Sequence, residues 1–115
     1  MKVRAVDFVQ IQVRDMDRAL GFYRDALGMP VGQAWGDEWV ELAAGDTTIA
    51  LAAEVEGVAV ALSVDSVSDA IQELKAKGVE VVAGPQGNEW CASAAIRDPE
   101  GNLLVLHQRH DGTVG

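Results

Sequence analysis

Few side chains in this sequence are equipped for chemistry. The only histidines are His107 and His110, and the only cysteine is Cys91. The histidines lie three residues apart across the end of a predicted strand, where their side chains diverge, so their spacing disfavours a shared metal ion. We expect His107 to be a polar binding residue or an acid/base. Cys91 has no basic neighbour in the sequence and is expected to be a small apolar residue, not a nucleophile.

Glu41 and the tryptophans are the remaining candidates. Glu41 has the same strand parity as Trp39, so it could pair with a cationic ligand or act as a base. Three of the six aromatic residues are tryptophans, at positions 35, 39 and 90, each near a predicted strand end or loop. Indole rings suit planar or cationic ligands. The alternative for Trp39 and Trp90 is packing in the core or at a dimer contact.

The elements that position these residues occur twice. Apolar alternation predicts a strand near the start of the chain, followed by a helix that begins after Asp15 and ends at Gly28. About 51 residues later the pattern recurs, with a helix capped by Ser66 and ended by Gly78. Three strands follow each helix, at 31–35, 38–43 and 47–53 in the first copy and at 79–83, 90–97 and 103–108 in the second.

Glycine, proline and asparagine mark the connections. The segment 84–88 is rich in breakers and is predicted to be a loop, and Asp98 to Asn102 is predicted to turn the last hairpin. The sequence therefore predicts one domain, 1–115, made of two modules at about 5–53 and 58–108. A short flexible C-terminal tail is expected after them.

The composition is that of an acidic globular protein. The net charge is −9, hydrophobic residues make up 49% and charged ones 23%. The nine lysines and arginines are scattered, which argues against a nucleic-acid partner. No apolar run approaches the roughly 18 residues of a membrane helix. With a single cysteine and no signal-peptide core at the N-terminus, a cytoplasmic location is expected. The negative charge either attracts a cationic ligand or only maintains solubility.

The duplicated order of strand, helix and three strands resembles the vicinal-oxygen-chelate superfamily. The segments VRDMDRALGFYRDALGM and DPEGNLLVL strengthen the resemblance, which covers about residues 5–108. The superfamily includes glyoxalase I, extradiol dioxygenases and bleomycin-resistance proteins. The resemblance implies an α+β fold in which two βαβββ modules form a cupped mixed sheet around a cleft. It also implies a homodimer, since a second subunit commonly completes the cleft of short members.

The resemblance implies four metal-ligand positions whose donors this chain lacks. Metal-dependent members place a ligand on the first and last strand of each module, and the matching positions here are Phe8, Ala50, Ala59 and Val105. None of these side chains offers an oxygen, imidazole or thiolate donor. We therefore expect neither a metal ion nor another cofactor.

Strand parity extends the predicted cleft wall from these four positions. Residues added on the same parity are Gln10, Gln12, Thr48, Ala52, Ala61, Ser63, Leu103 and His107. The four alanines on this face are expected to leave room for a ligand. The opposite face is aliphatic and is expected to pack on the helices: Ile11, Ile49, Leu51, Val60, Leu62, Leu104 and Leu106.

These expectations favour a small-molecule binding protein similar to the drug-sequestering branch, taking an antibiotic or another aromatic or cationic metabolite. The predicted ligand-binding residues are Phe8, Gln10, Gln12, Trp35, Trp39, Glu41, Ala50, Ala59, Ala61, Ser63, Trp90, Val105 and His107. Two alternatives stay open: a glyoxalase-like lyase or isomerase with Glu41 or His107 as acid/base, and a protein-interaction module. A cleft acid or base with a shifted pKa would favour the enzyme, and a cleft filled by its own side chains would favour the module.

Overall fold

The structure is a computed structural model and describes residues 1–114. Its strands are β1 (Ala5–Gln12), β2 (Val31–Trp35), β3 (Trp39–Ala44), β4 (Thr47–Ala52), β5 (Val58–Ser63), β6 (Val81–Gly87), β7 (Cys91–Arg97) and β8 (Leu103–Arg109). Its helices are α1 (Met16–Leu20), which continues into a π-helical turn at Gly21–Ala26, and α2 (Val67–Ala76). The order βαβββ therefore occurs twice, with both parallel and antiparallel strand pairs, which confirms the predicted α+β class.

The chain divides into two compact units. One consists of residues 8–58, and the other combines residues 1–7 with the chain from Ala59 onward. Each unit contains one helical segment and four-strand pairing of the same kind, with a parallel pair at one side and two antiparallel pairs beyond it. In residues 1–114, no helix is long and apolar enough to cross a membrane.

In the unit of residues 8–58 the strands pair in the order β2-β3-β4-β1. The β1–β4 pair is parallel, with Gln10 opposite Ala50 and Gln12 opposite Ala52. One sheet face packs on the helix, and the core there is formed by Met16, Val40, Leu42 and Leu51, with Ile11, Ile49 and Tyr23 among the residues packed against it. Burial of these apolar groups is the main stabilising contribution in this unit.

The first helix begins where the sequence predicts. Asp15 is its N-cap, and the carboxylate oxygen Oδ1 accepts a hydrogen bond from the Arg18 amide at 3.1 Å. After Leu20 the hydrogen-bonding pattern widens to the π type, and the Leu27 amide donates to the Phe22 carbonyl at 2.9 Å. Gly28, with a φ of +74°, then ends the helix, because a left-handed backbone favours glycine.

In the other unit the strands pair in the order β5-β8-β7-β6. The β5–β8 pair is parallel, with Ala61 opposite Val105 and Ser63 opposite His107. The core between the sheet and α2 is formed by Val64, Val67, Ala70, Ile71, Ala94, Ile96 and Leu106, with Leu62 and Leu104 packed against it. Ser66 caps α2 as predicted, its hydroxyl accepting from the Asp69 amide at 3.2 Å.

The predicted loop over 84–88 is wrong, because β6 continues through Gly87. The glycines there allow a close backbone approach to β7. A Cβ added to Gly87 would lie 2.7 Å from the Cys91 carbonyl oxygen, and one added to Gly84 would lie 2.8 Å from that of Ser93. The β6–β7 register shifts twice along this stretch. Glycine commonly breaks a strand, but in β6 it allows the irregular pairing with β7.

Candidate functional site

Each unit has one sheet face turned away from its helix, which we call its helix-distal face. In residues 8–58 the helix-packed strand residues include Ile11, Leu51 and Leu42. In the other unit they include Leu104 and Leu106. Successive strand residues point to opposite faces, so the predicted cleft-wall residues lie on the helix-distal faces. The predicted parity of the aliphatic face is thereby confirmed for these residues.

An aromatic and acidic cluster lies on the helix-distal face of residues 8–58. Trp39 Nε1 donates a hydrogen bond to Glu41 Oε2 at 2.9 Å. The Trp39 ring also meets the Phe8 ring edge to face, with centroids 5.6 Å apart and an interplanar angle of 87°. The hydrogen bond orients the Glu41 carboxylate, and the ring contact holds the indole. The structure thus brings together Phe8, Trp39 and Glu41, three of the predicted binding residues.

Strand register places Gln10 in line with this cluster. Glu41 lies opposite Ala50 on β4, and Ala50 lies opposite Gln10 on β1, so a carboxylate and a carboxamide flank one methyl group. Gln10 is only 6% exposed and Ala50 is fully buried. Ala52, in the next row, is also buried. These alanines therefore do not form the open hollow that the sequence analysis predicted.

Two other predicted residues of this unit lie at its margins. Gln12 is exposed at the end of β1, and its Oε1 accepts from the Gly57 amide at 3.3 Å. Trp35 lies opposite Trp39 in the β2–β3 hairpin but is exposed. Its indole is therefore available on the surface of the edge strand, where it could contact either a ligand or another protein chain.

A buried carboxylate–imidazole pair occupies the second unit. His107 Nδ1 lies 2.7 Å from Asp7 Oδ2, and the Asp7 side chain has no exposed surface. Arg109 Nη1 approaches the other Asp7 oxygen at 3.9 Å. Asp7 is absent from the residues predicted from the sequence. It precedes Phe8 in an apolar strand and lies 100 residues from its partner, so no local pattern pointed to it.

The carboxylate of Asp7 determines how His107 can act. When Nδ1 carries the proton and donates a hydrogen bond to Asp7, the basic nitrogen of the neutral ring is Nε2. A carboxylate in this position fixes the tautomer and stabilises the imidazolium that forms when Nε2 accepts a proton. His107 therefore has an orienting carboxylate of the kind found beside many histidine acids and bases.

Ser63 lies beside this pair with its hydroxyl buried. It is opposite His107 in the β5–β8 pair, it is 1% exposed, and its Oγ has no hydrogen-bond partner within residues 1–114. Ala59 and Ala61, on the same strand, are also buried, while Val105 is partly exposed. A buried hydroxyl without a partner is uncommon and is typical of a place where a water molecule or a ligand atom binds.

The remaining candidate residues of the second unit form no hydrogen bond with the Asp7–His107 pair in residues 1–114. Trp90 is 69% exposed, and its amide donates to Asn88 Oδ1 at 2.8 Å. His110 Nε2 lies 3.1 Å from the Asn88 carbonyl oxygen. The two histidines thus have different partners, as their spacing predicts. Burial raises the pKa of the Cys91 thiol, against a smaller opposing effect of Arg109, which disfavours a nucleophilic thiolate.

The side chains at the four metal positions do not fit a metal ion. Phe8, Ala50, Ala59 and Val105 carry only carbon and hydrogen, whatever their placement. No group of three or more histidine, cysteine, aspartate or glutamate side chains in residues 1–114 is arranged to hold one.

Comparison of the sequence with family profiles identifies the class of protein that this fold represents. The profile of the Glyoxalase/Bleomycin resistance protein/Dioxygenase superfamily matches residues 5–106. The chain belongs to this superfamily, as the resemblance in its motifs indicated. No curated protein sequence matches it significantly.

Solved structures with the same fold include enzymes and a protein described only by its superfamily. Methylmalonyl-CoA epimerase from Mycobacterium tuberculosis is 24% identical, with a TM-score of 0.72, and the match covers 93% of this chain and 89% of that one. A variant of the Streptomyces coelicolor epimerase in complex with 2-nitronate-propionyl-CoA is 19% identical, with a TM-score of 0.78 and coverage of 99% and 100%. A superfamily member from Vibrio splendidus 12B01 is 20% identical, with a TM-score of 0.71 and coverage of 93% and 99%. At these identities the likeness concerns the fold.

Proposed function

We propose that the protein binds a small organic molecule at the helix-distal face of residues 8–58, without a resident metal ion. The observation that carries the proposal is the cluster of Phe8, Trp39 and Glu41. One oxygen of the Glu41 carboxylate accepts from Trp39, which orients the second oxygen for a donor on a ligand. A cation beside an indole face and a carboxylate is stabilised by both groups.

The ligand class follows from these side chains. A flat, positively charged molecule matches the indole, the carboxylate and the overall charge of −9. Cationic aromatic antibiotics and metabolites are of this class, so sequestration of such a compound is our preferred role. Glu41 is a weaker candidate for a catalytic base, since Trp39 already engages its carboxylate.

A thermal-shift experiment tests this proposal. A native-state ligand raises the melting temperature by mass action, so we would compare a cationic aromatic dye with its neutral isostere and with divalent metal ions. Only the cationic dye is expected to stabilise the protein. Glu41→Gln and Trp39→Leu should each weaken dye binding about tenfold or more, which corresponds to ~1.4 kcal/mol. The matched control is Trp90→Leu, which removes an exposed indole outside the cluster.

Two results would contradict the binding proposal. One is equal stabilisation by the neutral isostere, which would show that the Glu41 charge does not contribute to binding. The other is unchanged dye binding in a correctly folded Trp39→Leu protein, which would show that the dye binds outside the cluster.

A second candidate function is proton transfer at a small substrate, in a glyoxalase-like lyase or isomerase with His107 as the acid/base. The buried Asp7–His107 pair supports this candidate, because it supplies the orienting carboxylate. Epimerisation, the activity named for two proteins with this fold, is consistent with proton transfer by His107. Their sequence identities to this chain establish only the fold. Ser63 Oγ would donate a hydrogen bond to a substrate oxygen.

Solvent exchange distinguishes the two functions. If His107 moves protons, the protein will catalyse deuterium exchange at an acidic carbon–hydrogen bond of a thioester or of a thiol adduct of a 2-oxoaldehyde. His107→Gln should abolish the exchange while leaving dye binding at Glu41 unchanged. Absence of exchange over the whole substrate panel would leave simple binding as the better account.

We also propose that the chain forms a homodimer in the cytoplasm. All five residues of the edge strand β2 are exposed, including Val31 and Trp35, and an uncovered apolar edge favours association with another chain. Sedimentation should give about twice the 12.2 kDa chain mass at micromolar concentration. Trp35→Ser should shift the equilibrium toward monomer. A monomeric wild-type protein at that concentration would refute the assembly.

A further inference from the structure

A groove outside the helix-distal face combines two arginines with an exposed aromatic ring. It has a volume of about 530 Å³ and runs between the end of β1 and the first helical turns. The side chains that matter here are Arg14, Arg18 and Phe22, with Gln12 at the margin. This volume is large enough to hold a small organic molecule against the surface. We call it the arginine groove.

The two arginines of the groove differ from others in this acidic chain because they lack ion-pair partners. Within residues 1–114, neither Arg14 nor Arg18 forms an ion pair, whereas Arg24 lies 2.8 Å from Asp25 and Arg4 lies 3.3 Å from Asp65. This arrangement stands out because acidic residues outnumber basic ones two to one in the whole chain. Two guanidinium groups that line one groove without a carboxylate partner are both available to bind an anion.

Asp15 is the acidic group of the groove, and it already has a structural role. Its Oδ1 accepts from the Arg18 amide as the helix N-cap. The lining thus carries two positive charges and one negative charge, so the groove has a net positive charge of one. Guanidinium groups bind carboxylate, sulfonate and phosphate groups through paired hydrogen bonds.

Phe22 gives the arginine groove an apolar surface beside its positive charge. It is 55% exposed, and its ring packs edge to face on Tyr23 at a centroid distance of 5.0 Å. A large exposed aromatic ring beside unpaired cations matches a ligand that has a flat ring and an anionic group. An inorganic anion would use the arginines alone, and a neutral ring would use Phe22 alone.

We propose that the arginine groove binds a small aromatic anion, in which the acidic group lies between Arg14 and Arg18 and the ring stacks on Phe22. This ligand class has the opposite charge to the one proposed for the Trp39–Glu41 cluster. The groove therefore constitutes a separate site, and its existence does not depend on the function of the helix-distal face.

Nuclear magnetic resonance of the full-length protein tests the proposal, with naphthalene-2-sulfonate as the probe. Titration should shift the backbone amide signals of Arg14, Asp15, Arg18 and Phe22. Neutral naphthalene-2-methanol and inorganic sulfate should each bind at least fivefold more weakly. Raising the sodium chloride concentration from about 20 to 200 mM should weaken sulfonate binding, because surface charges are screened.

Substitutions locate the binding energy. Arg14→Gln and Arg18→Gln should each weaken naphthalene-2-sulfonate binding at least fivefold, and Phe22→Ser should reduce the affinity to that of inorganic sulfate. The matched control is Arg24→Gln, an exposed arginine that does not line the groove. Amide spectra of each variant will establish that it folds.

Three results of the binding measurements would overturn the proposal. They are signal changes confined to residues outside the groove, equal binding of the neutral naphthalene, and equal weakening in the Arg24→Gln control. Groove signals that shift with protein concentration alone would assign the surface to a second copy of the chain and would also overturn it.

Discussion

The Asp7 carboxylate shows how much a single buried group can contribute to this fold. It has no exposed side-chain surface and contacts His107 at 2.7 Å and Arg109 at 3.9 Å. A buried carboxylate is expensive to remove from water, and its partners offset that cost only while they remain in place. Removing one member therefore leaves an unpaired buried polar group.

We expect Asp7→Ala to lower the free energy of unfolding by about 3 kcal/mol or more, in the range measured for broken buried ion pairs. Urea denaturation would measure it. Asp7→Asn should cost less, because the amide oxygen still accepts a hydrogen bond. The double variant Asp7→Ala/His107→Leu should be more stable than Asp7→Ala alone. If Asp7→Ala is as stable as the wild type, the pair has no structural role.

The single thiol gives a chemical test of burial. Because burial raises the pKa of Cys91, less thiolate is present near neutral pH than at an exposed cysteine. Alkylation by iodoacetamide at pH 8 should therefore be slower in the folded protein than in the same chain unfolded in urea. Raising the pH should speed the folded reaction by increasing the thiolate fraction. Equal rates in the two states would contradict the assigned environment.

At the scale of elements, the β7–β8 hairpin depends on one turn residue. Asp98 Oδ1 accepts from the amides of Glu100 and Asn102 at 2.9 and 2.8 Å, and Oδ2 accepts from Asn102 Nδ2 at 2.9 Å. The hydrogen bond from the Asn102 side chain is the largest cause that lowers the Asp98 pKa, followed by the bond from the Asn102 amide. Gly101, at a φ of +86°, completes the reversal.

We expect Asp98→Ala to lower the melting temperature at neutral pH and the difference from the wild type to disappear in acid. The folded pKa lies below the unfolded value near 3.8, so the stabilisation is fully present above that value. It is lost as the pH falls through the lower, folded pKa. Thermal melts from pH 7 to pH 2 would measure this. A constant difference at every pH would show that the carboxylate charge is not involved.

The sequence predicted these elements well wherever local chemistry decides them. Asp15 and Ser66 cap the two helices as expected, and β2 has its predicted bounds. Two features depended on neighbours that are remote in sequence. Alternation along β1 does not indicate that Asp7 contacts His107 on β8. The glycines of β6, which commonly break strands, are accommodated by the close approach of β7.

Both βαβββ copies have the same order of elements, although the residues at the predicted metal positions are apolar. The profile match across residues 5–106 establishes the superfamily, but proteins with one fold serve many functions. The function of this chain must therefore come from its own side chains, and the cluster around Trp39 and the pair around His107 are the two places to test.

We expect the purified protein to contain no stoichiometric metal, because Phe8, Ala50, Ala59 and Val105 provide no donor atoms. Elemental analysis by mass spectrometry would measure this. Incubation with a chelator followed by dialysis should leave the melting temperature unchanged, since removal of a structural metal lowers stability. Detection of about one zinc, nickel, iron or manganese ion per chain would contradict the prediction.

The π-helical turn at Gly21–Ala26 also has a consequence for aligning this chain with its relatives. A π turn accommodates one more residue than the α turn it replaces, since each amide bonds to a carbonyl five residues back instead of four. A relative with a continuous α-helix from Met16 onward would therefore be one residue shorter between Leu20 and Leu27. Its alignment with this chain needs a one-residue gap there. If the gap is placed elsewhere, every pairing between that point and the turn is displaced by one residue, and strand residues then appear on the wrong face of the sheet.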